Sequence, residues 1–237
     1  MEHTAVLTLA LIFHLATSSL VFLGPNQGLL SLPTFQPSGC PLPRHPTAGS
    51  GLNGAVAEMV SGELTLCGGY NGQWDALAAC YALVDEHWRE RAPLPSPRQH
   101  AAASMDALGH MLVSGRENEF LNKVSSTLVL GLDGAWQSGP ALEVGMDKHC
   151  QVSTRLGVLV IGGFNYDDRT LNSVFLLEPN ASSWTSLSSM VSPREAFACS
   201  VLDDQVWVMG GFIDGTEGWS SGFLDTTEVI RSSIKTS

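Results

Sequence analysis

Basic residues are scarce in this chain: 12 Lys and Arg stand against 23 Asp and Glu in 237 residues, a formal net charge of −11. No basic cluster breaks that balance. Nucleic-acid binding rests on Lys and Arg contacts to phosphate, so the composition excludes a nucleic-acid partner and disfavours anionic membrane surfaces. Charged residues of both signs make up only 15% of the chain, and beyond residue 23 no apolar run is long enough to span a bilayer. Tyrosine is nearly absent, at Tyr70, Tyr81 and Tyr166. His87, His100, His110 and His149 are scattered without the spacing of metal ligands. What the chain does have is glycine, 24 residues of it, and a 44% hydrophobic content, enough for a substantial core.

The glycines are periodic. An apolar stretch runs into a glycine doublet or its variant at residues 64–70, 110–116, 157–164 and 205–212, and the second glycines, Gly69, Gly115, Gly163 and Gly211, recur at intervals of 46, 48 and 48. Trp88, Trp136 and Trp184 repeat at 48. Two residue types keeping one period indicate stacked supersecondary units. Within each unit the stretch before the doublet reads as a strand buried on both faces. A polar loop follows, then a third strand (residues 78–85, 126–133, 173–180 and 224–230), with a turn and the tryptophan after it in the first three units. An indole in that place can cover the flank of the next unit.

The residues resemble the kelch-repeat family, whose four-stranded blades carry a doublet on strand b, a Tyr on strand c, a Trp on strand d and an Arg before the next strand a. Gly68, Gly69, Tyr81, Trp88 and Arg98 fit in the first unit, and Gly162, Gly163, Trp184 and Arg194 in the third, with Leu177 for the tyrosine. The second unit departs, with Ser114 and Gly115 for the doublet, Val129 for the tyrosine and Met146 for the arginine. The resemblance implies an all-β, kelch-type β-propeller with three full blades and a partial fourth, about residues 55–98, 99–148, 149–195 and 196–231, ahead of a tail at 232–237. An incomplete ring would leave open blade edges, prone to self-association.

Residues 4–13 form an apolar run followed by small residues, as in a signal peptide, and residues 1–23 are assigned that role. The alternative is an uncleaved anchor over residues 4–23, the one route to membrane attachment. Residues 24–54 are rich in Pro, Gly and Ser; residues 29–35 could supply the strand the fourth blade lacks. An exported chain with five cysteines points to disulfides. Cys67 and Cys80 face each other on strands b and c and are the expected bridge, while Cys150 and Cys199, near-equivalent on strand a of successive blades, are expected as buried thiols, with a bridge between them as the alternative. Asn180 heads an N-glycosylation sequon in a surface turn.

The expected function is binding of a protein or glycan at the loop face, where a propeller gathers residues distant in sequence. The resemblance implies that this face uses the residue after the doublet and the arginine before strand a: Tyr70, Arg116, Phe164 and Phe212, with Arg98 and Arg194. Trp74, in a loop after the doublet, joins them. No cofactor or catalysis is expected. Enzymatic precedents for the family are galactose-oxidase-like copper oxidases and sialic-acid isomerases, and a truncated form of a longer kelch protein is a further alternative.

Overall fold

In the strand Gly157–Ile161 every residue is buried, and successive side chains serve different cores: Val158 and Val160 join one apolar cluster, Leu159 and Ile161 another. A strand feeding two cores must have a neighbouring sheet against each face. The computed structural model, which describes residues 19–24, 28–33, 52–115, 124–165, 167, 169–214 and 221–231, shows how this is met. Blade 1 orders Asn53–Val60, Glu63–Tyr70, Cys80–Val84 and His87–Arg91 as antiparallel strands a to d. Blade 2 holds Ala102–Met105, Met111–Ser114, Thr127–Leu130 and Trp136–Ser138. Blade 3 holds Cys150–Thr154, Gly157–Ile161, Val174–Leu177 and Thr185–Ser186. Blade 4 has three strands among the described residues, Ala198–Leu202, Gln205–Met209 and Thr227–Arg231. The described residues contain no helix, and strand a of each blade lies beside strand a of the next. The architecture is a β-propeller.

Three apolar clusters fill the three spaces between successive blades. Val56, Cys67 and Leu94 meet Met111 and Val113 between blades 1 and 2. Leu112 and Met146 meet Val158, Val160 and Trp184 between blades 2 and 3. Ile161 and Met190 meet Phe197, Val206 and Val208 between blades 3 and 4. Two of the indoles are fixed at their polar end as well: Trp136 Nε1 donates to Ala92 O at 2.9 Å and Trp184 Nε1 to Pro140 O at 2.8 Å, both acceptors in the loop leaving the preceding blade.

The doublet marks where strand b meets the linker to the next blade. Gly162 and Gly163 hold φ of +58° and +100°. A Cβ on Gly162 would lie 2.7 Å from Arg194 O, and one on Gly163 2.8 Å from Asp147 O. Both the dihedral and the approach demand glycine.

Cys67 and Cys80 are directly opposite on strands b and c of blade 1 and joined as a disulfide, with Cα atoms 4.1 Å apart. Cys150 and Cys199 are bridged as well, with Cα atoms 6.2 Å apart, which selects the bridge over the preferred expectation of buried thiols. Their near-equivalent places on strand a of adjacent blades bring them together across the seam once the blades stack. Cys40 lies outside the described residues. Gly28–Pro33 pairs with Ser19–Gly24 as a separate antiparallel hairpin. Residues 1–18, 25–27 and 34–51 lie outside the described residues.

Candidate functional site

One position per blade organises the mouth of the channel. Gly54, His100, Lys148 and Ala196 each begin the run into strand a, and all four have positive φ, between +49° and +63°. Left-handed backbone turns each N–H and C=O along the ring rather than into a sheet. His100 N donates to Gly54 O at 3.0 Å, Lys148 N to His100 O at 3.1 Å and Ala196 N to Lys148 O at 2.9 Å. The outcome is a hydrogen-bonded ladder that crosses all four blades.

At three of the four ladder positions the preceding residue pairs with the residue after a doublet: Asn53 with Tyr70, Asp147 with Phe164 and Glu195 with Phe212. Three of the expected aromatics therefore hold corresponding places around the mouth. They differ in surroundings. Tyr70 is buried, stacked on Trp74 with centroids 4.9 Å apart and tilted against His100 at 5.3 Å. Phe164 is half-buried beneath Lys148, whose Nζ lies 5.3 Å from the ring centroid. Phe212 meets Phe223 edge-on at 5.5 Å. Arg116 lies outside the described residues.

Loop chemistry explains how Trp74 is held. Asn71 Oδ1 accepts from the N–H groups of Gln73 and Asp75, both at 2.9 Å, and Asn71 Nδ2 donates to Asp75 Oδ2 at 2.9 Å. Asn165 repeats the device in blade 3, its Oδ1 accepting from Asp167 N at 3.2 Å and Arg169 N at 3.1 Å. An asparagine that caps its own loop is a common turn former. Both asparagines follow the aromatic after the doublet, a signal present in the sequence and not used above.

Arg98 and Arg194 correct the expectation that they face a ligand, for they are 2% and 0% exposed. Arg98 donates to Gly115 O at 2.7 Å and Ser126 Oγ at 2.8 Å; Arg194 donates to Gly210 O at 2.8 Å and Glu228 Oε1 at 2.6 Å. Strands b and c separate at the doublet and leave carbonyls without ladder partners, and a guanidinium with five donors reaches several at once. Burial raises the Glu228 carboxyl, but N–H donors from Val191 and Ser192 together with Arg194 outweigh it and hold the group below its ordinary value. These arginines staple one blade to the next.

A charged group was missed in the sequence. Lys148 Nζ lies 3.2 Å from Glu195 Oε1, and Glu195 is buried. Burial raises the Glu195 carboxyl, Lys148 opposes that, and Asp147 and Asp214 add to it. Beside it, His149 Nε2 is 2.7 Å from Ser114 Oγ, which donates to Gln151 Oε1; Gln151 Nε2 donates to Ser104 Oγ and Leu112 O, both at 2.9 Å. The serine in the second doublet thus has a function: its hydroxyl meets a histidine where blade 3 has Gly162 against Phe197. Among the described residues no three His, Cys, Asp or Glu side chains converge as metal ligands.

No protein-family model matches the chain. Curated relatives do, among them two Kelch-like proteins. The chain is 28% identical to Kelch-like protein 41a of Danio rerio over 144 residues, which is 58% of this chain and 24% of the relative. It is 29% identical to Kelch-like protein 40 of Mus musculus over 148 residues, 62% of this chain and 23% of the relative. The chain is a β-propeller whose repeats are similar to those of kelch proteins. It spans about a quarter of the length of these relatives. The solved structure of YjhT shares the fold, with a TM-score of 0.75 at 13% identity, covering 94% of this chain and 80% of that one. The kelch-repeat fold supports a binding role in general, and the two disulfides fit an extracellular protein. No helix among the described residues is long and apolar enough to cross a membrane.

Proposed function

We propose that this chain is an exported binding module that engages a protein or glycan through the loop face of its propeller, without catalysis of its own. The observation that carries this reading is the set of aromatics at the mouth, Tyr70 with exposed Trp74 beside it, then Phe164 and Phe212 in matching places. Aromatic side chains on preorganised loops give large contact area at little entropic cost. The disulfides support export, and Asn180, exposed in a turn at φ +64°, is open to glycosylation. Glycan-array and cell-surface binding of the labelled, secreted chain tests the proposal. Phe164→Ala and Phe212→Ala should each lower binding by about tenfold, as expected for interface anchors. Unchanged binding by both would move the interface elsewhere, and copper with oxidase activity in the purified chain would overturn the non-catalytic reading.

A further inference from the structure

Trp74 is 70% exposed and holds φ +71°, a region that large L side chains rarely enter. Its loop is closed by the Asn71 side chain and by two backbone bonds, Asn71 N to Asp75 O at 3.1 Å and Trp74 N to Asn71 O at 3.0 Å. The near-parallel Tyr70 ring, at an interplanar angle of 12°, covers one face of the indole. The exposure therefore belongs to the other face. A strained, rigidly held and largely exposed tryptophan adds little to the fold, and strain of this kind gathers at sites of function.

Blade 3 indicates what such a ring accepts. Phe164 stands in the place of Tyr70, and Lys148 Nζ lies over its ring. In blade 1 the ladder position that matches Lys148 is Gly54, which has no side chain to supply a cation. Asp75 follows Trp74 directly, its carboxylate held in the same loop by Asn71, Asp167 and Asp214 occupy the corresponding loops, and the whole chain carries a net charge of −11. Resting on the loop-face reading above, we propose that the open face of Trp74, with Asp75 beside it, docks a basic peptide segment by stacking an Arg or Lys side chain on the indole. Arginine suits the site best, since a planar guanidinium can lie flat on the ring while donating to a carboxylate.

The test is calorimetric titration of the intact chain with a blocked peptide of alternating Gly and Arg, with its Gly-Glu counterpart and with N-acetyllactosamine. The arginine peptide should bind saturably, and Trp74→Gly should weaken it roughly 3- to 30-fold, the range of cation–π contacts from exposed to desolvated. Trp74→Phe should retain most of the affinity. Glycine takes φ +71° without strain, so the thermal midpoint of Trp74→Gly should stay level or rise, whereas a structural tryptophan would lower it. Asp75→Asn should weaken binding and flatten its salt dependence. Equal binding by wild type and Trp74→Gly would mean attraction by net charge alone and would overturn the proposal. So would absence of peptide binding, or binding of the sugar in its place. Each of those results leaves the loop-face reading to the Phe164 and Phe212 variants, which probe other blades.

Discussion

Glu58 and His149 are expected to drive stability in opposite directions on acidification. Burial pulls His149 down to about 4 from 6.5. The unfolded chain therefore takes the proton first, and the histidine's contribution is lost as pH falls through 6.5 toward 4. Burial pushes Glu58 up to about 7 from 4.5, with the Met59 N–H opposing. Here the folded carboxyl takes the proton first, so stability is gained as pH falls below 7. At roughly 1.4 kcal/mol per pKa unit, going from about pH 7 to about pH 5 costs about 2 kcal/mol through His149. Glu58 offsets about 1 to 2 kcal/mol of that, a figure lowered because the carboxyl is only partly withdrawn from water. The native profile across this window should be nearly level. Glu58→Gln keeps the shape but removes the proton site, so stability should then fall by about 2 kcal/mol over the window. His149→Gln should do the reverse, and the double variant should lose both of these slopes. Urea denaturation followed by tryptophan fluorescence at a series of pH values reads the slope, which is independent of any constant loss from the Ser114 hydrogen bond. A level profile in Glu58→Gln would refute the assignment of these two groups.

Trp184→Ala should cost about 3 to 5 kcal/mol, because it empties the core between blades 2 and 3 and leaves Pro140 O without its donor; a loss under about 1 kcal/mol in chemical denaturation would refute the inter-blade role. Arg194→Ala should cost about 3 kcal/mol by leaving the Gly210 carbonyl without its donor and Glu228 without its cation, and Arg194→Lys should rescue little, since one ammonium cannot span acceptors arranged for a planar fork.

The propeller was legible in the sequence because its signals are local and recur in phase. Gly163 is glycine for reasons of dihedral and contact, and Trp184 is tryptophan because a gap between blades needs filling. Arg98 and Arg194 were assigned to the right strand ends and the wrong task. Sequence shows that an arginine recurs but not whether its head reaches water, and here unpaired carbonyls of the next blade draw it inward. The Cys150–Cys199 bridge stood only as the alternative to buried thiols for a related reason: strands far apart in the chain become neighbours only when the blades stack. The ladder was missed because it is made by backbone, and Gly54, His100, Lys148 and Ala196 share no side-chain chemistry for a pattern to catch.

That ladder also makes the chain a holder for exchangeable loops. Its rungs join one residue per unit and ask of that residue only a left-handed backbone, so whatever lies between rungs is free to change length. The chain already does this once: the first interval between rungs is 46 residues and the next two are 48, yet the bonds from Gly54 to His100 and from His100 to Lys148 differ by only a tenth of an ångström, 3.0 against 3.1 Å. Recognition loops on the mouth can thus be lengthened, shortened or replaced while the axis keeps its pitch, and a new specificity can be grafted onto a single blade without retuning its neighbours.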